Sequence, residues 1–229
     1  MIWGRKLIGQ FQTEEEILGS PIQDNEGNRT LRPGDFKYED LNKDGIIDGL
    51  DDYPVAHGTT PDVNFGLNIN LAWKGFDLNI LLQGATNFNM MYTEGQMAGP
   101  LIWGRNTYTI YLDRWRHEDI FDPTSPWIPG KYPSTGAVYP YVPSNSWWSS
   151  FWLPDASYVR LKSIELGYSI ENSLVRKIGI RNLRIYLSGF NLFTWTKLQY
   201  MDPELTPELW GNNDHPIMKN VNAGLNITF

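Results

Sequence analysis

The residues of this chain that are best suited to chemistry lie in the stretch "DLNKDGIIDGLD", which runs from Asp40 to Asp51. Oxygen-bearing side chains occupy the first, third, fifth, ninth and twelfth positions, glycine occupies the sixth, and the seventh offers a backbone carbonyl. This is the spacing of a calcium-binding loop, in which a hard cation takes roughly six to eight oxygen ligands. The predicted ligands are Asp40, Asn42, Asp44, Ile46, Asp48 and Asp51.

This loop departs from an EF-hand in two ways. Asp51 stands where a bidentate glutamate is usual, and Asp52 could compete for that role. Pro33-Gly34 lies upstream and Pro54 downstream, so the two flanking helices are not expected. A bound ion would rigidify a long loop whose clustered carboxylates repel one another. An Asp- and Gly-rich turn without an ion is the alternative.

A second candidate site is the aromatic segment 84–156, which holds six of the ten tryptophans. Aromatic faces can stack on sugar rings or on peptide side chains, while their polar edges form hydrogen bonds. We expect most of these rings to form a small core of the segment or to dock a partner subunit. The polar setting "SNSWWSS" makes Trp147 and Trp148 better ligand candidates. The predicted ligand-binding residues are Trp147, Trp148, Trp127 and Tyr139.

Composition argues against several classes of function. The net charge of -7 and the lack of a basic run argue against nucleic acid as the partner. The chain has no cysteine, which excludes a disulfide framework and thiol-ligated metals. Its three histidines, His57, His117 and His215, are isolated, and no nucleophile elbow, P-loop or dinucleotide fingerprint is present. We therefore expect neither an enzyme nor an organic cofactor.

Strands are the elements that must position these loops, because apolar and polar residues alternate with a period of two. Two such runs flank Lys74-Gly75 and predict an antiparallel hairpin. The apolar residues, predicted to face membrane lipid, are Phe65, Leu67, Ile69, Leu71, Trp73, Phe76, Leu78 and Ile80. The polar residues, predicted to face a water-filled lumen, are Asn64, Asn68, Asn70, Asn79 and Gln83.

Further strands are predicted at Tyr158 to Ile170, at Leu183 to Trp195 and at the end of the chain, with a sixth near Met1 to Phe11. The first of these places Arg160 and Lys162 on the face that later carries Ile164. The closing stretch "MKNVNAGLNITF" ends on an aromatic residue of the apolar face. Its residues Leu225, Ile227 and Phe229 are the predicted assembly signal.

Long and short connections alternate along the chain, and this asymmetry is typical of outer-membrane barrels. We expect extracellular loops at 12–61 and 84–156, a hairpin at 62–83 and the last strands at 157–229. No run of about 18 apolar residues could span a bilayer as a helix. The predicted fold is all-β, an antiparallel transmembrane β-barrel portion of about five to six strands with long extracellular loops. A soluble β-sandwich is the alternative, because it too buries one face and wets the other.

Separated motifs along the chain also carry a family resemblance, among them "RPGDFKYEDLNKDGIIDGLDD", "NFGLNINLAWKGFDLNILLQGA", "FWLPDASYVRLKSIELGYSI" and "NLRIYLSGFNLFTWTKL". In this order they resemble the carboxy-terminal part of SusC/RagA-type TonB-dependent outer-membrane transporters of Bacteroidota. The resemblance implies a large barrel with an amino-terminal plug, a SusD-like surface lipoprotein as partner, and TonB-powered import of glycans or peptides.

Such transporters have about 22 strands, far more than this chain supplies, so we expect it to be a fragment. Contact with TonB would then come through the missing amino-terminal part. The alternative function is a secreted or surface-attached, calcium-stabilised sugar-binding β-module without transport activity.

Overall fold

The computed structural model describes residues 1–24, 26–92, 109–134, 143–170, 179–205 and 217–229. The chain divides into two compact units. The first contains Met1–Thr59 and Met90–Pro154, and the second contains Thr60–Asn89, Asp155–Thr206 and Asp214–Phe229. Within the described residues, no helix is both long enough and apolar enough to cross a membrane.

Strands dominate both units, and the single α-helix of the described residues, α1, is the short segment Glu14–Leu18. Short 3-10 turns occur at Gly49–Asp51, Thr109–Asp113 and Pro143–Ser146. In chain order the strands are β1 (Ile2–Arg5), β2 (Leu7–Gln10), β3 (Phe36–Tyr38), β4 (Asp52–Ala56), β5 (Val63–Trp73), β6 (Phe76–Thr86), β7 (Arg116–His117), β8 (Trp127–Ile128), β9 (Tyr158–Ile170), β10 (Asn182–Thr196) and β11 (Asn220–Thr228).

The first unit is built from three small antiparallel sheets, which pair β1 with β4, β2 with β3 and β7 with β8. The sixth strand predicted near Met1 to Phe11 is two short strands, β1 and β2, and neither joins the five-stranded sheet of the second unit. The backbone carbonyl of Lys6, between β1 and β2, accepts from the backbone N–H of Glu39. Register shifts at Ile2/Trp3 and at Leu7/Gly9 shorten both pairings further. The residues up to Gln10 therefore belong to the loop-built unit rather than to the large sheet.

Aromatic rings fill the interior of the first unit. Trp152 is 1% exposed, and its indole N–H donates to the backbone carbonyl of Asn145 at 2.7 Å. The Phe36 ring lies 4.6 Å from that of Phe151 and 5.8 Å from that of Trp152, measured between centroids. Buried aromatic pairs of this geometry add about 0.5–1.5 kcal/mol beyond their area. The long segments therefore carry a core of their own.

The second unit is a five-stranded antiparallel sheet in the order β11-β10-β9-β6-β5. β5 and β6 form the predicted hairpin, with Trp73 opposite Phe76. Lys74 and Gly75 both have positive φ, 47° and 87°, as a two-residue turn that matches the twist of its strands requires. The all-β, antiparallel fold class is confirmed, with five strands in the sheet.

The register sorts side chains by polarity across the whole sheet. One row across the five strands is apolar and contains Leu71, Leu78, Leu166, Leu187 and Ala223. The next row is polar and contains Asn70, Asn79, Glu165, Ser188 and Asn222. Directly paired residues of antiparallel strands point to the same side of a sheet. We call these two sides the apolar face and the polar face.

The predicted side for Arg160 and Lys162 is wrong, because β9 contains a bulge. Leu81 pairs with Ser163 while Leu82 pairs with Leu161, so Lys162 is the extra residue. A bulge of one residue reverses the alternation on one side of it. Arg160 consequently pairs with Gln83 and Thr194 on the polar face.

Candidate functional site

An ion cluster occupies the polar face near the β5–β6 turn. Arg184 on β10 donates from Nε to Asp77 on β6 at 2.9 Å, and its terminal nitrogen forms a second bond with the same carboxylate. That terminal nitrogen also donates to Glu165 on β9 at 2.7 Å. The guanidinium crosses β9 at Gly167, where a Cβ atom would collide with it. Sequence reasoning missed this cluster, although "ELGYS" shows the glycine that it needs.

A second ion cluster lies on the polar face at the opposite end of the strands. Arg160 is 1% exposed, and one of its terminal nitrogens donates to both oxygens of Asp202 at 2.7 Å. Its other terminal nitrogen donates to Glu204 at 2.8 Å, and Lys162 donates to the same carboxylate at 2.6 Å. Hydrogen bonds between an arginine and a carboxylate are charge-assisted and are roughly twice as strong as those between neutral groups. They hold the segment that follows β10 against the polar face.

The apolar face of the sheet is open to solvent in this chain, with Leu67, Leu71 and Trp73 all more than half exposed. Aromatic rings stand at both ends of this face. They are Trp73, Phe76 and Tyr168 at the turn end, and Phe65, Phe193 and Trp195 at the other. From Phe65 to Trp73 the strand advances eight residues, or about 27 Å. An apolar band of about 25 Å between aromatic girdles is typical of the outer surface of membrane barrels.

Predicted lipid-facing residues of β5 and β6 pair with one another along this apolar face, from Ile69 with Ile80 to Trp73 with Phe76. The predicted lumen-facing residues of the same strands lie on the polar face, where Asn70 pairs with Asn79. Leu225 and Ile227 extend the apolar face along β11, and Phe229 follows that strand. Contact of the apolar face with lipid and of the polar face with water is still a prediction. The role of the last residues as an assembly signal is also still a prediction.

The oxygen atoms of the calcium-like loop accept hydrogen bonds from the loop's own backbone. Asp40 accepts from the N–H groups of Lys43 and Gly45 at 2.6 and 2.8 Å, and Asp44 accepts from Ile46 at 2.9 Å. Asn42 accepts from the N–H of Asp44 at 2.9 Å, and Asp48 accepts from that of Leu50 at 2.8 Å. Such short-range turns are common for Asp and Asn. They hold the loop together through its own atoms.

Asp51 differs from the other predicted ligands because it is fully buried. Its carboxylate accepts from the backbone N–H groups of Leu41 at 2.8 Å, Asn42 at 3.3 Å and Asp48 at 2.9 Å. Burial raises the pKa of this carboxyl, but the three N–H groups and nearby Arg5 outweigh it, so the net pKa is lowered. These bonds make Asp51 the hub of the turn and occupy the atoms that a twelfth-position ligand would use.

The fit of this loop to a metal ion is therefore partial. Among the residues that the structure describes, no three His, Asp or Glu side chains come together as a metal-binding group. Asp40, Asn42, Asp44, Asp48 and the carbonyl of Ile46 keep the calcium spacing along the chain. Calcium binding stays a prediction that requires its own measurement.

The predicted ligand-binding rings separate into different environments. Trp147 is half-buried, with its ring 5.4 Å from that of Tyr38 and the Arg5 guanidinium 5.0 Å from its centroid. Trp148 is exposed beside it, and both line a cavity of about 360 Å³. Trp127 lies elsewhere, stacked on His117 at 3.8 Å, and Tyr139 lies outside the described residues. The cavity also contains Trp3, Arg5 and Asp52, which sequence reasoning missed.

Comparison with known proteins gives a consistent result. The chain is 32% identical to TonB-dependent receptor P26 of Formosa agariphila over 99% of its own length. It is 30% identical to TonB-dependent receptor P3 of the same organism over 87% of its length. The chain is related to the TonB-dependent receptors. It spans 22% and 18% of those two relatives, about a fifth of their length. No family model matches the chain.

Solved structures agree with this assignment at the level of the fold. The RagAB peptide transporter matches the whole chain with a TM-score of 0.65 at 22% identity, and the chain covers 23% of it. The RagAB peptide importer in its open-open state matches with a TM-score of 0.64 at 18% identity and 22% coverage. The predicted resemblance to SusC/RagA-type TonB-dependent receptors is confirmed. Because these relatives are named as receptors, they give no support to the alternative function, a secreted sugar-binding module.

Proposed function

We propose that this chain supplies part of the wall, the lumen lining and the loops of a TonB-dependent importer of glycans or peptides in the bacterial outer membrane. The observation that carries the proposal is the five-stranded register, which gives one sheet an exposed apolar face and a hydrogen-bonding polar face. A β-sheet with these two faces suits a boundary between lipid and water. The receptor relatives support transport rather than catalysis.

The apolar face suits lipid because water is a poor solvent for it. Leu67, Leu71 and Leu187 are each more than half exposed, and they belong to continuous apolar rows. Monomeric soluble proteins rarely expose apolar patches of more than a few hundred Å². Contact with acyl chains removes this surface from water, while the aromatic rings at either end lie at the level of the lipid headgroups.

The polar face suits a water-filled lumen that a polar solute crosses. Its amides, such as those of Asn70, Asn79 and Asn222, offer donors and acceptors that exchange readily with water. Its charged groups are paired within the two ion clusters, so they do not present isolated charges to a passing solute. Glycans and peptides both suit such a lining, and the solved neighbours are described as a peptide importer and transporter.

Two partners belong to this proposal through the SusC/RagA resemblance. A SusD-like surface lipoprotein would deliver ligand to the extracellular loops. TonB would act through a part of the protein outside this chain, since the chain spans about a fifth of its receptor relatives.

Energised uptake tests the proposal directly. Cells that make the full-length protein carrying this chain are given labelled oligosaccharides and labelled peptides, and uptake is compared with that of cells lacking the protein. We expect uptake of one class to require both the protein and TonB. Equal uptake of both classes in all strains would show that the importer assignment is wrong.

A further inference from the structure

The cavity beside Trp147 and Trp148 is a built feature of the first unit. One wall comes from β1 through Trp3 and Arg5, and another from the start of β4 through Asp52. The turn that follows Pro143–Ser146 supplies the two neighbouring tryptophans. Three segments that are far apart in the sequence thus converge on a space of about 360 Å³. That volume lies at the lower end of the usual range of ligand pockets.

Packing behind the cavity fixes the positions of its walls. Gly4 lets β1 approach the Trp148 carbonyl so closely that a Cβ atom would collide with it. The backbone N–H of Arg5 donates to that same carbonyl at 2.7 Å. Arg5 lies opposite Asp52 in the β1–β4 pairing, and the two side chains form an ion pair. Trp148 is therefore anchored through its backbone, and its ring remains free.

Several groups of the cavity are available to a ligand. The residues Trp3 and Trp148 are 57% and 49% exposed. The Asp52 side chain is 36% exposed and can accept further hydrogen bonds. The Arg5 side chain lines the cavity and is 14% exposed, so it can donate through the part that reaches the surface. Aromatic faces beside a paired donor and acceptor match the chemistry of a sugar ring, which has apolar C–H faces and vicinal hydroxyls.

Charge narrows the class of ligand. Among the described residues that line the cavity, Arg5 is the one cation, and Asp52 neutralises it. Asp51 and Asp48 also lie near enough to act on Arg5 electrostatically, which leaves the surroundings acidic. An anionic ligand would find no unpaired cation among these described lining residues and would meet repulsion. On the side facing the tryptophans, the backbone N–H of Arg5 already donates to the Trp148 carbonyl. β1 therefore cannot use this N–H to pair with a strand of a peptide ligand.

We propose that this cavity binds a neutral oligosaccharide, whose rings stack on Trp148 and Trp3 and whose hydroxyls bond to Asp52 and Arg5. This proposal rests on the function proposed above, in which the loops capture a nutrient. It narrows the class of ligand at this cavity to uncharged glycans. It makes the two tryptophans of "SNSWWSS" unequal. Trp148 contacts the ligand, whereas Trp147 supports Arg5 from behind.

The test uses the full-length protein that carries this chain, purified in detergent, and measures binding by calorimetry and tryptophan fluorescence. The neutral probes are maltohexaose, cellohexaose and mannohexaose, and the competing classes are hexagalacturonate and a mixture of oligopeptides. The variants are Trp148→Ala, Trp3→Ala and Asp52→Asn. Phe121→Ala is the matched control, because Phe121 is an exposed aromatic residue of the same unit and does not line the cavity. Retention of fold is checked for each variant by its heat-modifiable electrophoretic mobility.

We expect at least one neutral hexasaccharide to bind, with affinity lowered at least tenfold by Trp148→Ala and measurably by Trp3→Ala and Asp52→Asn. Phe121→Ala should bind as the parent does. The proposal is wrong if the folded protein binds none of the neutral probes, or binds them equally well without Trp148 and Trp3. It is also wrong if only hexagalacturonate or peptide binding depends on Trp148. Binding without energised uptake would instead count against the importer assignment alone.

Discussion

The guanidinium of Arg184 on β10 reaches across the intervening strand β9 to bind the carboxylate of Asp77 on β6. It can do so because Gly167 on β9 leaves its path clear. Three strands are tied together on the polar face by one side chain, near the end where β5 turns into β6. The sheet is therefore cross-linked by side chains as well as by its backbone ladder.

Gly167→Ala should weaken the sheet by displacing Arg184. The added Cβ would overlap the guanidinium, and overpacking of this kind costs about 1–3 kcal/mol. The midpoint of heat-modifiable mobility of the full-length protein measures the loss. Gly66→Ala is the matched control, since its Cβ would meet only a carbonyl oxygen at 3.8 Å on the polar face of β5. Equal midpoints for the two variants would contradict the role given to Gly167.

Arg160→Met should release the segment that follows β10. It removes the partner of two largely buried carboxylates, Asp202 and Glu204, and breaking a buried pair costs about 3–5 kcal/mol. Limited proteolysis should then cut within 197–205 much faster than in the parent protein. Lys162→Met is the control, because Lys162 is about one-third exposed and its pair is worth about 1 kcal/mol or less. A proteolysis rate that Arg160→Met leaves unchanged would show that the segment is held by other contacts.

Asp51→Asn should destabilise the turn at 40–51 at neutral pH and should reduce its sensitivity to acid. The folded-state pKa of Asp51 lies below its ordinary value of 3.8. Ionised Asp51 therefore stabilises the fold at pH values above its ordinary pKa. This stabilisation is lost as the pH falls through the lower pKa of the folded state. Thermal midpoints recorded from pH 7 to pH 2 should converge for parent and variant at the acid end. A constant difference across this range would contradict the assignment.

Calcium should raise the thermal midpoint of the parent protein if the spacing of Asp40, Asn42 and Asp44 defines an ion site. The expected dissociation constant is on the order of 10⁻⁴–10⁻³ M, as in other extracellular modules. Binding only to the folded state stabilises it by RT ln(1 + c/Kd), where c is the free calcium concentration, so the midpoint should rise with the logarithm of that concentration above the dissociation constant. Asp44→Ala should abolish the calcium-dependent increase. An equal thermal midpoint in EDTA and in millimolar calcium would contradict the ion site. The loop would then be held by its own hydrogen bonds alone.

Sequence reasoning succeeded for the strands, because their alternating pattern is local. It predicted the hairpin at Lys74-Gly75 and the two-sided composition of β5 and β6. It failed for Arg160, because the apolar positions shift from Val159 and Leu161 to Ile164 and Leu166, and this shift is recognised as a bulge only from the pairing with a neighbouring strand. It also failed for the first residues, where β1 and β2 are too short for periodicity to show which sheet they join.

The cavity beside Trp148 was predicted only in part, because the segments that form it come together only in the tertiary structure. Trp148 could be selected from its polar surroundings, but Trp3, Arg5 and Asp52 come to it from residues far away in the sequence. Asp51 fitted the twelfth position of a calcium loop, yet its burial makes it a structural hub. The Arg184 cluster required the register of three strands, which no single motif encodes.

The most direct test of the account compares Leu67→Arg with Asn68→Arg in the full-length protein. These neighbours lie on opposite faces of β5, where Leu67 pairs with Leu82 and Asn68 pairs with Leu81. An arginine on the lipid face costs about 2–4 kcal/mol at the bilayer midplane, whereas one on the lumen face meets water. Folding yield into lipid bilayers should therefore drop sharply for Leu67→Arg and stay near the parent value for Asn68→Arg. Equal yields, or the reverse order, would contradict the proposed orientation of the sheet.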